Sequence, residues 1–325
     1  MGNSSGLTRR QFVQLCVASP LLVSGLSACG RARPFSLGVY QHPGHEAFYI
    51  SEHFNLLPTD VMLRKSQSSE AVVNAMLSGE LDAAALALDE VLACLAAGIP
   101  LQVVLVLARS CGANALLSRP EFHNATQLKG KVIALESRPA TELLLEHYLH
   151  KSGLERNDVE VAYLPQLKQL MAWQDSQIDA VINTPPVSHY IERAGAVRLF
   201  DSSQCPPLMF QVLAVRTDRI GWLSNVPARL LNSYYLGLQQ IRLFSGDSFR
   251  RTALWRNLTL SETTRYFASV QYPSPMQNMT LLSDSKLMSD AMQKLSSFMP
   301  APGSAALDFT KVFNATALRQ LVLNS

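Results

Sequence analysis

The chain has 325 residues, 48% of them apolar and 16% charged, which excludes an intrinsically disordered protein and is enough for two packed lobes. A net charge of +3 is small for this length, so the sequence predicts neither a nucleic-acid partner nor a surface that coats membranes. The five cysteines show no metal-binding spacing, and we expect neither a metal nor a cofactor.

Residues 1–28 are predicted to be an export signal. Arg9 and Arg10 precede an apolar run over residues 15–26 that is too short to be a comfortable membrane span. Small residues then lead to Cys29, as in a bacterial lipobox, whose cysteine is lipidated and becomes the new N-terminus. The paired arginines resemble a twin-arginine signal, although a basic flank on a general secretory signal looks much the same. We therefore expect an exported lipoprotein, anchored through Cys29 in the periplasm or on the outer cell surface.

After a linker at residues 29–34, strands and helices alternate, which predicts parallel sheets covered by helices. In the first block, strands are predicted at 35–40, 60–64, 82–86 and 101–107, with helices at 46–54, 69–77 and 90–97. The second block has strands at 131–135, 159–163, 179–182 and 197–200, with helices at 140–151, 167–174 and 186–193. Since both blocks have the same order and similar lengths, the sequence predicts two similar lobes.

Two segments are predicted to cross between the lobes, at residues 110–120 and 204–209. Residues 211–216 are predicted to form a strand that returns to the first lobe. The rest is helical in period, with helices at 226–244, 250–257, 261–269 and 287–298, and residues 278–282 are expected to lie against the first lobe. We therefore place the first lobe at residues 35–118 and 208–325 and the second at 119–207.

Each block contains the same join between a helix and a strand, at residues 78–85 and 175–182. A small or polar residue ends the helix, one apolar residue follows, and an aspartate precedes a run of small and β-branched residues. We expect Asp82 and Asp179 to turn the chain before corresponding strands rather than to bind a ligand.

The two blocks also carry an ordered series of short motifs. In the first they are Gly38-Val39-Tyr40, His42-Pro43-Gly44-His45, Ala71-Val72-Val73-Asn74-Ala75-Met76, Gly79-Glu80-Leu81-Asp82-Ala83-Ala84 and Ala97-Gly98-Ile99-Pro100. In the second they are Leu128-Lys129-Gly130-Lys131-Val132-Ile133-Ala134, Ile178-Asp179-Ala180-Val181 and Leu199-Phe200-Asp201-Ser202-Ser203-Gln204. From about residue 35 to residue 216, this series resembles the nitrate/sulfonate/taurine class of substrate-binding proteins of ABC importers.

The resemblance implies an α/β fold of the two-lobed, type II periplasmic-binding-protein kind, with two crossings between parallel-sheet lobes that close on a small solute. It also implies delivery of that solute to an ABC permease, and we expect a monomer. One departure concerns Asn183, Thr184 and Pro185, which stand where members of that class often have an aromatic-Glu-Pro step. Because the acid is missing, the ligand of the class cannot simply be carried over.

Candidate ligand-binding residues follow the strands, because open parallel sheets bind ligands beyond the carboxyl ends of their strands. They are His42, Gly44, His45, Gln67, Ser68, Asp89 and Ser110 in the first lobe, and Ser137, Arg138, Thr141, Asn183 and Thr184 in the second. The serines and threonine can cap helices whose free N–H groups favour anions, and Arg138 adds a fork suited to sulfonate, carboxylate or phosphate. The alternatives are caps with nothing bound and a solvated Arg138. Asp89 can either bind an amine or cap the helix that follows it.

His42 and His45 are three residues apart, which raises the question of a metal site. Pro43 and Gly44 break the helical spacing and no third ligand follows nearby, so we expect a hydrogen-bonding role instead. Gly44 is expected to let the backbone approach a ligand.

The function predicted on these grounds is that of an extracytoplasmic solute-binding protein that closes on an anionic or neutral solute and catalyses no reaction. The sequence has no phosphate-binding Gly-rich loop with lysine, no G-x-S-x-G elbow, and no helical His pair with glutamate. One alternative is an enzyme similar to the thiamine-pyrimidine synthases, although their Cys-rich iron-binding run is absent here. The sequence is also compatible with a binder of pyrimidine precursors and with a sensory ligand-binding lipoprotein.

Overall fold

The computed structural model describes residues 33–220, 225–299 and 308–323. The predicted export signal, with Arg9, Arg10 and Cys29, lies outside the described residues. Over those three ranges, no helix combines the length and the apolar character that crossing a membrane would require.

Strands and helices alternate through the first two thirds of the chain, and helices dominate the rest. The strands are β1 (Phe35–Tyr40), β2 (Val61–Ser66), β3 (Ala83–Ala87), β4 (Leu101–Ser110), β5 (Ala115–Ser118), β6 (Val132–Leu135), β7 (Glu160–Tyr163), β8 (Ala180–Asn183), β9 (Val197–Asp201), β10 (Phe210–Arg216) and β11 (Val270–Gln271). The helices are α1 (Glu46–His53), α2 (Ser69–Leu77), α3 (Leu88–Ala96), α4 (Pro139–Ser152), α5 (Gln166–Gln174), α6 (Val187–Arg193), α7 (Thr217–Ile220), α8 (Val226–Leu243), α9 (Ser245–Trp255), α10 (Leu260–Ala268), α11 (Pro275–Ser283), α12 (Lys286–Ser296) and α13 (Thr316–Leu323).

The strands form two sheets with matching orders, β2-β1-β3-β10-β4-β11 and β7-β6-β8-β5-β9. In the first, β10 lies antiparallel between β3 and β4, and in the second β5 lies antiparallel between β8 and β9. Each inserted strand directly follows a crossing between the sheets. The predicted return of residues 211–216 to the first sheet is confirmed.

The second inserted strand corrects the prediction that residues 115–118 belong to a crossing and that the first segment of lobe 1 ends at residue 118. All four residues of β5 are buried, and they pair with β8 and β9 of the second sheet. The crossing therefore ends before Ala115. A run of four residues is too short for its period to separate a buried strand from a linker, so the sequence did not reveal it.

The repeated join has the same structure in both lobes. Asp82 Oδ2 accepts a hydrogen bond of 2.9 Å from the Ser36 N–H, and Asp179 Oδ2 accepts one of 2.9 Å from the Val132 N–H. Each aspartate thus ties the start of one parallel strand to the start of its neighbour. Both residues have the architectural role that the sequence predicts.

The C-terminal helices complete the first lobe. Helix α8 crosses α1 so closely that a Cβ at Gly237 would lie 2.1 Å from the Ala47 carbonyl oxygen. Helix α11 contributes Asn278, whose amide is buried and bonds both the N–H and the carbonyl of Val106 in β4. The expected contact of residues 278–282 with the first lobe is therefore confirmed.

Candidate functional site

The carboxyl ends of the parallel strands in the two sheets face each other across a cleft. A narrow space of about 30 Å³, which we call the inner cavity, lies between them. A wider space of about 420 Å³, the outer cavity, lies between α2 and α3 of the first lobe and residues 136–139 and 163–165 of the second. Asp89, Glu136 and Arg138 line both cavities and so form the wall between them.

Asp89 and Arg138 form a two-pronged ion pair across the cleft. The Nη2 and Nε atoms of Arg138 donate to Asp89 Oδ1 at 2.9 Å and to Oδ2 at 3.1 Å. The Ala140 N–H, in the first turn of α4, lies 3.4 Å from the same Oδ2. Asp89 is 2% exposed in its side chain and Arg138 is 22% exposed, so solvent screens this pair only weakly.

Two further carboxylates lie beside Arg138. Its Nη1 is 2.9 Å from Glu90 Oε1 and 3.7 Å from Glu136 Oε2. Burial raises the pKa of Glu90 and of Glu136, and Arg138 opposes both shifts. Burial by itself would lower the pKa of Arg138, but Asp89, Glu90 and Glu136 hold it well above the ordinary value. The guanidinium is therefore permanently charged and surrounded by acids.

Tyr40 joins the acids to the first sheet. Its hydroxyl lies 3.1 Å from both Glu90 Oε2 and Gln211 Oε1 and can donate its single proton to either. Burial, and then Glu90, raise the pKa of Tyr40 well above the ordinary value, so the hydroxyl keeps its proton.

His42 lines the inner cavity as a neutral donor. The Gly44 N–H donates to His42 Nδ1 at 3.0 Å, which leaves the ring proton on Nε2. Burial, and then His45 and Arg138, lower the pKa of His42 well below its usual range, so the ring is uncharged at neutral pH. His42 therefore offers an N–H group, and no positive charge, to the cavity.

In the second lobe, amide and hydroxyl side chains lie after β8, where the sequence lacks the acid that is frequent in similar proteins. Asn183 donates from Nδ2 to Gln169 Oε1 at 2.7 Å and accepts at Oδ1 from the Thr184 N–H. Thr184 Oγ1 accepts from Gln166 Nε2 at 3.0 Å. These bonds fix an uncharged polar wall at the end of β8 and the start of α5.

The first crossing closes the cavity with hydroxyl and amide groups. Ser110 Oγ donates to Asn114 Oδ1 at 2.8 Å and lies 2.7 Å from Ser202 Oγ. The Gly112 N–H donates to the same Ser202 hydroxyl. Ser110 and Asn114 both line the inner cavity, so this crossing is part of the site as well as a connection between the sheets.

The structure brings most of the predicted site residues together. His42, Asp89, Ser110, Arg138, Thr141, Asn183 and Thr184 line the inner cavity, and Ser137 lines the outer one. The solvated alternative for Arg138 is wrong, since its guanidinium is bonded to Asp89. Thr141 does not cap α4: its hydroxyl lies 2.6 Å from the Glu136 carbonyl and 2.8 Å from the Arg138 carbonyl and can donate its single proton to either.

Four predicted residues line neither cavity. Gly44 lies against β4, where a Cβ would come within 2.9 Å of Ala108, so its close approach is to the sheet and not to a ligand. His45 is fully buried behind the cavity, 2.8 Å from Gln211, and burial lowers its pKa to about 4. Gln67 is exposed and bonds Gln41, and Ser68 caps α2 by accepting from the Ala71 N–H.

Sequence reasoning missed several lining residues. Glu136 directly follows β6 and satisfies the strand-end rule, but the candidates predicted after this strand began one residue later, at Ser137. Phe210 and Gln211 lie at the start of β10, which reaches this edge only because it runs antiparallel. Leu295, from α12, carries no signal in the sequence that would connect it to the cleft.

The lobes also meet outside the cleft. Arg193 in α6 pairs with Glu262 in α10, with its Nε 3.2 Å from Oε1. Lys294 in α12 lies 3.0 Å from Glu146 in α4. These pairs are partly exposed, so each contributes little to holding the lobes together.

Comparisons with known proteins agree with this architecture. The family model described as NMT1/THI5-like matches residues 58–211. The taurine-binding periplasmic protein of Escherichia coli (strain K12) is 27% identical over 141 residues, which are 43% of this chain and 44% of that protein. The chain thus matches less than half the length of this curated relative.

Among solved structures, the alkanesulfonate-binding protein SsuA from Xanthomonas axonopodis pv. citri, bound to MOPS, has a TM-score of 0.68 at 17% identity, over 82% of this chain and 95% of that one. The periplasmic nitrate-binding protein NrtA from Synechocystis PCC 6803 has a TM-score of 0.69 at 10% identity, over 90% of this chain and 89% of that one. The predicted two-lobed periplasmic-binding-protein-like fold is therefore confirmed.

Proposed function

From the NMT1/THI5-like domain at residues 58–211, we propose that this chain is the extracytoplasmic solute-binding component of an ABC importer. The supporting observation is that polar side chains from both lobes converge on one cavity, with Asp89 of the first lobe bonded to Arg138 of the second. A solute held there touches both lobes, so its binding favours their approach.

The size of the inner cavity supports binding by hinge motion. About 30 Å³ holds only about two water molecules, so an organic solute can enter only after the lobes move apart. The two crossings, at residues 111–114 and 205–209, are the short segments that can absorb this motion. Lobe 1 then comprises residues 35–110 and the C-terminal part from residue 210, and lobe 2 comprises residues 115–204.

We also extend the roles of the relatives to this chain. The similar proteins named above are binding proteins, and capture followed by delivery to a membrane permease needs positioned donors and burial rather than chemistry. The chain is then exported and acts as a monomer held by a lipid on Cys29. Membrane fractionation tests the anchor: Cys29→Ala should release the protein, and retention in the membrane fraction would refute it.

Thermal unfolding with a solute panel tests the binding function. Sulfonates, nitrate, alkylamines and pyrimidines are added to the purified protein, and a true ligand raises Tm by an amount that grows with its concentration over Kd. Small-angle X-ray scattering of the same samples should show a smaller radius of gyration with the ligand that raises Tm. A shift in Tm without compaction would contradict binding between the lobes.

A further inference from the structure

The groups of this cleft that could bind an anion are bonded to a side chain of the protein itself, that of Asp89. The guanidinium of Arg138 grips both oxygens of Asp89, and the Ala140 N–H at the N-terminus of α4 lies beside one of them. Fork-like guanidinium bonds and first-turn N–H groups are what proteins use to hold sulfonates, phosphates and carboxylates. Asp89 therefore lies where an external anion would be recognised.

The remaining charges around the inner cavity do not compensate for a second anion. In the described part of the chain, Arg138 is the one cationic side chain that lines it, whereas Asp89 and Glu136 are acids. Glu90, at 2.9 Å from Arg138, adds a third acid behind the wall. The neutral ring of His42 supplies a donor without charge.

The outer cavity has the complementary character. Four acids, Glu70, Asp89, Glu90 and Glu136, line it together with Arg138. The ring of Tyr163 lies at the same surface and is 52% exposed. Carboxylates and an aromatic face together attract organic cations, and about 420 Å³ is within the range of small-molecule pockets.

We propose that Asp89 is a resident carboxylate that occupies the anion-recognition position of the cleft, so that the protein selects solutes with a positively charged nitrogen and excludes sulfonates and other anions. This inference rests on the proposed solute-binding function, whose site it shares. It differs from the anionic or neutral solute that the sequence predicts. Glu136, which keeps acceptor capacity beside its 3.2 Å bond from Gln166, is the partner that we assign to the ammonium group, together with Asp89.

Two probes with one skeleton test the proposal by titration calorimetry. Ethanolamine and isethionate share a hydroxyethyl group and carry opposite charges. Wild-type protein should bind ethanolamine and show no binding of isethionate. Asp89→Asn should weaken ethanolamine at least about tenfold and bind isethionate at least about tenfold more tightly than wild type, since the fork of Arg138 is then free for a sulfonate. Asp175→Asn, the same change at an exposed residue of the second lobe, should behave as wild type.

Each result decides between the claims. Wild-type binding of isethionate at least as tight as that of ethanolamine overturns the selection against anions but leaves the solute-binding function in place. The inference is also overturned if a folded Asp89→Asn variant does not bind isethionate more tightly than wild type, or if wild type does not bind ethanolamine. The wild-type comparison needs no variant, so it remains decisive if Asp89→Asn fails to fold. Loss of the solute-binding function itself would instead appear as no thermal shift with any member of the panel.

Discussion

The carboxylate of Asp89 and the guanidinium of Arg138 belong to different lobes, and their hydrogen bonds of 2.9 and 3.1 Å span the cleft. Asp89 is the second residue of α3, which directly follows β3, and Arg138 is the N-cap residue of α4 after β6. Because the sheets have the same strand order, β3 of the first lobe corresponds to β8 of the second and β6 corresponds to β1, so the two residues follow non-equivalent strands. The pair is thus a bond between non-equivalent strand ends that face each other across the cleft.

The first prediction concerns the cost of breaking this pair. Arg138→Gln leaves Asp89 and Glu90 buried beside an uncharged partner, and we expect the free energy of unfolding to fall by about 3 kcal/mol. Urea denaturation at pH 7 measures it. A surface arginine with weak pairing, such as Arg251, provides the control, and Arg251→Gln should change stability by less than about 0.5 kcal/mol. Equal effects of the two substitutions would contradict the ion pair.

The second prediction concerns pH. Burial raises the pKa of Glu136 above the ordinary value of 4.5, so the folded protein binds a proton more readily than the unfolded chain. Its contribution to stability is present at low pH and is lost as pH rises through the raised pKa. Above pH 4.5, the free energy of unfolding should therefore fall less steeply with pH in Glu136→Gln than in wild type. Urea denaturation at a series of pH values measures this slope. Glu121→Gln, at an exposed position, should leave the slope unchanged, and equal slopes for wild type and Glu136→Gln would be the contrary result.

The third prediction uses the two joins. Gly79 and Ser176 occupy the same position in the two joins, two residues after the end of the helix. Their φ angles are 79° and 58°, so both lie in the left-handed region, where serine is strained. Ser176→Gly should raise the free energy of unfolding by about 0.5 kcal/mol, after the greater freedom of glycine in the unfolded chain is subtracted. The reverse change, Gly79→Ser, should lower it by about 1 kcal/mol. Opposite signs in guanidinium denaturation confirm the equivalence, and a stabilising Gly79→Ser would refute it.

The fourth prediction concerns the aspartate in the same join. Asp179→Ala removes the acceptor for the Val132 N–H and should lower the free energy of unfolding by about 1–2 kcal/mol. Asp175→Ala lies four residues earlier at an exposed position and should have little effect. Similar losses in thermal melts of the two variants would mean that the strand-entry bond does not contribute.

Much of the fold is predictable because it repeats. The ends of β1 and α2 agree with the sequence prediction, and the ends of most other elements in both lobes differ from it by one to three residues. Alternation of apolar strands with amphipathic helices is a local signal, and the duplicated join indicates which elements of the two blocks correspond. The inserted strands β5 and β10 are different, since pairing between distant segments decides their place, and only β10 is long enough to be recognised as a strand.

The site is less predictable than the fold. The strand-end rule selects Asp89 and Arg138 separately, but nothing local indicates that they bond to each other, because 49 residues separate them. The sequence therefore predicts an external anion as the partner of Arg138. In the structure, Arg138 is bonded to Asp89 and also lies beside Glu90 and Glu136. The positions of these two glutamates in the cleft depend on how the lobes face each other.

Native mass spectrometry of the purified protein tests the central claim most directly. The wild-type chain should retain one small molecule, whose mass identifies the solute. Thr184→Phe, which fills the inner cavity from the end of β8, should retain none, whereas Thr264→Phe on the exposed face of α10 should retain it as wild type does. Equal retention by the Thr184→Phe variant would contradict solute binding between the lobes.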